Sequence, residues 1–199
     1  MAYSAIILAG GKGKRMGYRE KALMAFNGKP LITYVIRSLE KVVDDIIISV
    51  RDKAQEELLT TILPGYTYVS DAYENTGPLS GILSSLTVCR YEFCFIAACD
   101  MPYINENVVE LLFKKSENHD AAIVRREDGH FEPLHAVYKC KPMVFETKEA
   151  IKNGKTKILA PIHRMKVNYV EIEEIRKIDR DLKTFININT LEDLNRNCQ

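Results

Sequence analysis

Short apolar runs alternate with longer amphipathic stretches in the first half of the chain, and this alternation is what most constrains the fold. Residues 5–8 and 46–50 are almost entirely apolar, whereas residues 31–41 carry apolar side chains at helical spacing. Buried strands separated by helices form β-α-β units. The strands of such units pair in parallel, and the helices cover both faces of the sheet. The sequence therefore predicts an α/β, Rossmann-like fold of three layers with a mostly parallel central sheet.

The same two periodicities predict the remaining elements. Further strands are expected at residues 67–69, 93–98, 121–124, 134–138, 167–172 and 184–186. Further helices are expected at residues 53–63, 79–87, 105–116 and 141–153, and at the C-terminus, where Thr190 and Asp193 can form a cap. No internal repeat or Gly-, Pro- or Ser-rich linker interrupts this series, so residues 1–199 are expected to form one domain.

The overall charge argues against two classes of partner. Lys and Arg number 28 against 27 Asp and Glu, which gives no general reason to expect binding to nucleic acid or to an anionic membrane.

The first eight residues lack the features of a signal peptide, and no apolar run reaches the ~20 residues that span a bilayer. A cytoplasmic protein is expected.

The cysteines and histidines do not form a recognisable metal or disulfide pattern. The five cysteines are an odd set without a C-x-x-C pair, so reduced structural thiols are expected. The four histidines lack the spacing of a helical zinc site. Among them His135 is expected to be a hydrogen-bonded structural residue, with a place in a binding pocket as the alternative.

A glycine-rich, basic loop directly follows the first predicted strand. Residues 8–17 contain four glycines and three cationic side chains, and glycine allows backbone N–H groups to approach an anion closely. This composition suits a polyphosphate, although the loop matches neither the P-loop nor the dinucleotide fingerprint. The alternative is a surface turn rich in Gly and Lys. Lys21 lies just beyond and could contact phosphate, or could be an ordinary solvated lysine.

A carboxylate follows the apolar strand predicted at residues 93–98. Ligands of doubly wound sheets bind at the carboxyl ends of the strands, so the chemistry is expected after Leu8, Val69, Ala98 and Ile186. Asp100 occupies such a position and supplies the hard oxygen ligand that Mg²⁺ prefers. The alternative is a turn-forming Asp ahead of a Met-Pro pair.

Two further polar segments follow predicted strands. Asp71 could accept hydrogen bonds from ribose hydroxyls or a base, while Gly77 and Gly81 would permit close approach of substrate; a capped loop-to-helix junction is the alternative. Strand alternation would place Asn187 and Asn189 on one face, able to bind a ligand or metal-bound water. Simple helix capping is the alternative for this last pair.

Together these segments resemble the molybdenum cofactor guanylyltransferases, within the nucleoside-triphosphate transferases of the nucleotide-diphospho-sugar-transferase fold type. The resemblance covers nearly the whole chain. It is carried by Leu8-Ala9-Gly10-Gly11, Arg15-Met16-Gly17, Lys21, Asn27-Gly28-Lys29-Pro30-Leu31, Gly77-Pro78-Leu79-Ser80-Gly81, Cys99-Asp100-Met101-Pro102 and Asn187-Ile188-Asn189-Thr190.

The resemblance implies an enzyme that transfers GMP from GTP to the phosphate of molybdopterin and releases pyrophosphate with the help of Mg²⁺. It implies nucleotide contacts at Leu8, Ala9, Gly10, Gly11, Lys21, Asp71, Gly77, Gly81 and Asp100. The catalytic residues would be Lys21, Asp100 and Arg15, with Asp100 also the metal ligand, and Lys157, Asn187 and Asn189 would contact the acceptor. A protein that delivers the cofactor is left open as a partner.

The chain departs from the family pattern in ways that keep alternatives open. Arg51 stands in the segment after the second strand where the family can place an Asn, which puts that base contact in doubt. Residues 154–157 are basic but offer lysines in place of arginines, so the acceptor is the weakest part of the assignment. A related transferase that uses CTP or another phosphorylated acceptor, and a non-catalytic GTP-binding protein, remain alternatives. Gly11 favours GTP, because related cytidylyltransferases commonly carry Leu-Ala-Ala-Gly.

The expected chemistry is an in-line attack by an acceptor phosphate oxygen on the α-phosphorus of the triphosphate. Such transfers depend mainly on positioning and charge neutralisation, which the backbone of residues 10–13, Arg15 and Lys21 would provide. An acceptor phosphate is already ionised. No general base is therefore required.

Overall fold

In the part of the chain that the structure describes, seven strands form one sheet and two short strands pair separately. The computed structural model describes residues 1–11, 20–71, 77–190 and 192–194. The strands are β1 Ser4–Leu8, β2 Ala25–Phe26, β3 Lys29–Pro30, β4 Asp45–Val50, β5 Thr67–Ser70, β6 Phe93–Ala98, β7 Ala121–Arg125, β8 Phe131–Lys139 and β9 Val167–Glu171. The large sheet has the order β5-β4-β1-β6-β8-β7-β9, and β2 pairs with β3.

Helices cover both faces of the large sheet. They are α1 Leu31–Leu39, α2 Lys53–Ile62, α3 Pro78–Leu86, α4 Glu106–Lys115, α5 Cys140–Lys152, α6 Leu159–Ile162 and α7 Ile172–Arg176. One buried cluster joins α1, α2, α4 and α7 to the sheet, and another joins α3, α5 and α6 to its opposite face. Successive side chains of β1 point to opposite faces of the sheet, so Ile7 belongs to the first cluster and Ile6 to the second. The predicted three-layer α/β architecture is confirmed.

The sheet is mostly parallel with one reversed strand. β5, β4, β1 and β6 run parallel, while β8 lies antiparallel between β6 and β7. The reversal follows from the short connection between β7 and β8, because a tight turn can join only antiparallel neighbours. Gly129 provides this turn with a positive φ of 81°, and its N–H donates to the carbonyl of Arg126 at 2.9 Å.

Two of the predicted strands need correction. The strand predicted at residues 184–186 is wrong, because Lys183–Phe185 forms a 3₁₀ helix. Leu182 has a left-handed φ of 53°, and the Thr184 N–H donates to Asp179 Oδ2 at 2.7 Å, so local side-chain bonding curls this segment. The strand predicted at residues 167–172 ends at Glu171 because Ile172 begins α7, which the sequence reading had missed along with α6.

A buried hydrogen-bond group fixes this 3₁₀ turn to the sheet. His135 of β8 is fully buried, and its Nε2 lies 3.2 Å from Thr184 Oγ1, which also accepts the Asn105 N–H at 3.1 Å. Burial between the rings of Phe95 and Phe185 lowers the pKa of His135 to about 3, so its imidazole is neutral at physiological pH. The interpretation of His135 as a hydrogen-bonded structural residue is confirmed.

Replacing Thr184 by Val should destabilise the protein. The substitution removes the hydroxyl shared by His135 and the Asn105 N–H, and leaving buried polar groups unpaired costs about 1–3 kcal/mol. Urea unfolding should show this loss, whereas Thr60→Val on an exposed position of α2 should change the free energy of unfolding by less than about 0.5 kcal/mol. Equal losses in the two variants would contradict this role.

Candidate active site

The carboxyl ends of three neighbouring strands meet at one edge of the sheet. The last residue of β1, Leu8, is in register with Ser49 of β4 and Ala98 of β6. Backbone bonds extend the pairing by one residue, since the Ala9 N–H donates to the Ser49 carbonyl at 2.8 Å and the Cys99 N–H to the Leu8 carbonyl at 3.1 Å. The glycine-rich segment and Asp100 therefore leave the sheet side by side, as the sequence predicted.

Lys21, Asp100 and Asn189 come together at this edge, although they lie far apart in the chain. The Lys21 ammonium forms an ion pair with Asp100 Oδ2 and donates to Asn189 Oδ1 at 2.9 Å. The Ile188 N–H donates to the Asp100 carbonyl at 2.9 Å, which fixes the Asn189 segment beside the carboxylate. Both members of the pair are shielded from solvent, with the Lys21 side chain 14% and the Asp100 side chain 12% exposed.

The second carboxylate oxygen of Asp100 is suited to a metal ion. Asp100 Oδ1 is buried and has no hydrogen-bond partner among residues 1–11, 20–71, 77–190 and 192–194. An unpaired buried carboxylate oxygen is costly, so such groups are expected to receive a ligand. Mg²⁺ takes oxygen ligands and binds through one or two carboxylates together with substrate phosphates. The donor set at Asp100 therefore fits a divalent cation that arrives with a nucleotide.

Asp71 presents a second carboxylate near the same edge. It follows β5, and its N–H donates to the Val50 carbonyl at 3.1 Å. Its Oδ1 is buried without a hydrogen-bond partner in the described part of the chain. Burial raises the pKa of Asp71 to about 6, against the opposing effects of the Ser49 hydroxyl and the Arg51 charge. At neutral pH the group is mainly an acceptor-only carboxylate, as binding to ribose hydroxyls would require.

Two glycines allow close packing beside Asp71. A Cβ atom at Gly81 would lie 2.8 Å from Asp71 Oδ1 and would overlap the Ser49 hydroxyl, so α3 can approach the strand ends only with glycine there. Gly77 has a φ of 59°, and a Cβ atom there would lie 3.0 Å from the Thr156 carbonyl oxygen. The basic segment that contains Lys157 therefore packs against the start of α3.

The backbone at the start of the glycine-rich loop is partly engaged in other bonds. Both polar groups of Ala9 are occupied, the N–H by Ser49 and the carbonyl by Gln55 Nε2 at 3.0 Å. A Cβ atom at Gly10 would lie 3.2 Å from the Arg51 backbone nitrogen, whereas one at Gly11 would meet no atom of the described residues within 4 Å. The predicted catalytic residue Arg15 lies outside the described residues.

A polar network that the sequence reading missed surrounds this segment. Gln55 of α2 donates to Glu20 Oε2 at 2.6 Å, and Arg51 Nη2 donates to Glu20 Oε1 at 2.8 Å. Asp52 caps α2 by accepting the Gln55 N–H at 2.9 Å, and Asp52 Oδ2 also accepts from Arg51 Nε at 2.8 Å. Glu20 and Gln55 belong to no motif. Only Arg51 could have drawn attention, as a departure from the family pattern.

The two asparagines differ in their environment. Both residues are exposed, but Asn189 accepts from Lys21, whereas Asn187 donates a long bond of 3.5 Å to the Phe185 carbonyl. The alternation argument that grouped them is wrong, because no strand forms here. The predicted cap is confirmed: the Thr190 N–H donates to Asp193 Oδ2 at 2.8 Å, and the Asp193 N–H donates to Thr190 Oγ1 at 3.0 Å.

Some other features carry no clear ligand chemistry. Cys89, Cys94, Cys99 and Cys140 are free thiols, while Cys198 lies outside the described residues. Within the described ranges, no group of three or more His, Cys, Asp or Glu side chains is arranged to hold a metal ion. The helices in those ranges are all too short or too polar to cross a membrane.

Asp71 should make stability depend on pH in a predictable direction. Its pKa in the folded state, about 6, exceeds the ordinary value of 3.8, so its stabilising effect is complete below pH 3.8 and is lost as pH rises through 6. The unfolding free energy of the wild type relative to Asp71→Asn should therefore fall by about 2 kcal/mol from pH 3.5 to pH 7, allowing for partial solvent screening. Urea titrations would measure this difference. A difference that does not change with pH would contradict it.

Comparison with known proteins finds relatives over nearly the whole chain. The family model described as "MobA-like NTP transferase domain" matches residues 5–166. A "Probable molybdenum cofactor guanylyltransferase" of Methanosarcina mazei is 47% identical over 197 residues, which cover 96% of this chain and 88% of that protein. Its namesake in Methanosarcina acetivorans is 46% identical over 198 residues, with the same two coverages of 96% and 88%.

A solved structure is similar in both fold and sequence. The crystal structure of molybdopterin-guanine dinucleotide biosynthesis protein A from Archaeoglobus fulgidus matches with a TM-score of 0.84 and 34% identity. The match covers 98% of this chain and 96% of that one. The two chains thus share the fold over nearly their whole lengths.

Proposed function

Because the chain belongs to the molybdenum cofactor guanylyltransferase family of MobA-like NTP transferases, we propose that it transfers GMP from GTP to the phosphate of molybdopterin. The enzyme is a nucleotidyltransferase. The observation that carries the proposal is the convergence of Lys21, Asp100 and Asn189 where the glycine-rich segment leaves β1. A cation and a carboxylate with one free oxygen there match what a metal-bound triphosphate needs.

The nucleotide half of the site lies between β1, β5 and α3. Backbone N–H groups of Gly10 and Gly11 and the Lys21 ammonium would hold the triphosphate, with Arg15 as an additional cation. Asp71 would accept hydrogen bonds from the ribose hydroxyls, since its Oδ1 has no partner in the described ranges. Gly81 allows α3 to pack closely against that carboxylate. Leu8 and Ala9 would contribute mainly by holding the loop at the sheet.

Asp100 is the residue that would hold Mg²⁺. The ion, when bound, offsets negative charge on the triphosphate and on the leaving pyrophosphate. Lys21 keeps one carboxylate oxygen of Asp100 engaged, so the other is oriented for the metal. Asn189 in turn positions the Lys21 ammonium.

The acceptor half would lie toward the basic segment at residues 154–157. Thr156 of this segment packs against Gly77 at the start of α3, so the adjacent Lys157 is near that end of α3 in space although distant from it in sequence. Lys157, Asn187 and Asn189 would contact the acceptor.

In the transfer step, an oxygen of the acceptor phosphate forms a bond to the α-phosphorus of GTP. The bond from that phosphorus to the oxygen bridging the α- and β-phosphates breaks, and pyrophosphate leaves. The attacking oxygen is ionised, so the protein needs to remove no proton.

One observation keeps a second candidate function in view. Arg51, whose guanidinium is engaged by Glu20 and Asp52, stands where the family can place a base-contacting Asn. A related enzyme that uses CTP is therefore the alternative.

The organisation of residues 1–199 as one domain and a cytoplasmic location both stay predictions.

A nucleotide comparison would test the proposed donor. With molybdopterin and Mg²⁺ present, pyrophosphate release should require GTP, and CTP, UTP and ATP should each support less than about a tenth of the rate, equivalent to 1.4 kcal/mol of discrimination. Preferential turnover of CTP would overturn the guanylyl assignment. Saturable GTP binding without pyrophosphate release, with molybdopterin or any other phosphorylated acceptor, would instead indicate a binding protein.

Replacing Asp100 by Asn should abolish most turnover while the fold survives. The variant loses the carboxylate charge for Mg²⁺, and loss of a preorganised electrostatic contact of this kind lowers kcat by roughly 100-fold or more. Asp45→Asn is a matched control, because Asp45 is also buried but lies at the opposite edge of the sheet, where it accepts from Ser4 Oγ at 3.0 Å. Turnover by Asp100→Asn within tenfold of the wild type would exclude the metal role.

A further inference from the structure

We propose that Gln55, Arg51 and Glu20 form a loop anchor that fixes both ends of the glycine-rich segment and thereby sets the affinity for the triphosphate. These three are positioning residues, because they act through Ala9 and Lys21. The proposal rests on the nucleotide site described above. It concerns how the ends of the glycine-rich segment are positioned before the nucleotide binds. The choice of nucleotide and the transfer step are separate questions.

Gln55 joins the two ends of the segment at a single side chain. It is only 2% exposed, and its Nε2 donates to the Ala9 carbonyl at 3.0 Å and to Glu20 Oε2 at 2.6 Å. A side-chain amide nitrogen carries two protons, so both are used on these two partners. Ala9 and Glu20, which bracket residues 10–19, are therefore tied to the same atom.

Arg51 connects this link to rigid elements of the fold. Its Nη2 donates to Glu20 Oε1 at 2.8 Å, and its backbone N–H donates to Gln55 Oε1 at 2.7 Å. The hydrogen bond that Arg51 donates to the Glu20 carboxylate raises the pKa of Arg51, so the guanidinium stays charged. Arg51 directly follows β4 and Gln55 lies in the first turn of α2, so the anchor is part of the junction between strand and helix.

The anchor has a direct consequence for binding. Ordering a residue costs about 1–2 kcal/mol, and any loop ordering that occurs on binding is subtracted from the affinity. A segment whose ends are already fixed loses less conformational entropy on binding, so less of the binding free energy is spent on ordering it. Glu20 immediately precedes Lys21, so the same contacts also restrain the backbone from which the Lys21 side chain reaches Asp100.

The substitution Gln55→Glu separates this role from a purely structural one. A glutamate at this position still accepts the Arg51 N–H, but it cannot donate to Ala9 and it opposes the Glu20 carboxylate. Isothermal titration calorimetry should show the Kd for GTP rising about tenfold, which corresponds to 1.4 kcal/mol. In turnover assays KM should rise by a similar factor, while kcat should change less than about threefold.

An exchange variant provides the decisive rescue. Glu20→Gln combined with Gln55→Glu restores one bond between an amide and a carboxylate at the same two positions, although the bond to Ala9 is still missing. The Kd should recover at least about threefold relative to Gln55→Glu alone, as expected for about 0.7 kcal/mol. Glu57→Gln, on the exposed face of α2, should leave the Kd unchanged.

Several outcomes would overturn the anchor. A Kd for Gln55→Glu within twofold of the wild type would do so, as would an exchange variant that binds no more tightly than Gln55→Glu. If Gln55→Glu does not fold, Glu20→Gln gives the same test at a partly exposed side chain, with an expected loss of about threefold in affinity. An unchanged Kd in that variant would also overturn the proposal.

Failure of the proposed function gives a different pattern. If the wild type binds GTP without transferring GMP, the tenfold effect on Kd still supports the anchor. If another nucleoside triphosphate binds in place of GTP, the same variants are measured with that nucleotide. A wild type that binds no nucleoside triphosphate would overturn both proposals.

Discussion

The ion pair between Lys21 and Asp100 is the interaction on which the architecture of the site depends. It joins the glycine-rich segment after β1 to the end of β6, and Asn189 and the Ile188 N–H add the C-terminal segment to it. Two largely shielded charges gain little net stability from pairing, because desolvation offsets the attraction. The value of the pair is instead geometric, since it holds a cation and a free carboxylate oxygen at one point.

The proposed site also contains buried carboxylate oxygens without hydrogen-bond partners, which are uncommon where a sheet edge has only a structural role. Within the described ranges, Asp71 Oδ1 and Asp100 Oδ1 are both buried without partners, and both lie at carboxyl ends of parallel strands. Burial raises the pKa of Asp71, so the fold accepts an energetic cost for keeping that carboxylate near α3. Gly81 permits the approach of α3 to this group. Unpaired acceptors of this kind are typical of a surface that awaits a ligand.

Sequence periodicity predicted most of the fold because each strand and helix is set by local burial. The strand predicted at residues 93–98 matches β6 at both ends, and the helix predicted at residues 53–63 differs from α2 by one residue. The strand predicted at residues 184–186 failed for an equally local reason. There the Thr184 N–H and the left-handed Leu182 produce a 3₁₀ turn, which a run of β-forming residues does not reveal.

The sequence by itself determined the three-layer architecture and the edge of the sheet at which Lys21 and Asp100, members of the proposed site, come together. These follow from apolar periodicity and from motifs at strand ends, which are local properties of the chain. Only the tertiary structure decided that Asn189 contacts Lys21 while Asn187 does not, and that Gln55 binds both Ala9 and Glu20. Those contacts depend on the distance and direction between side chains remote in sequence, which residue spacing along the chain does not determine.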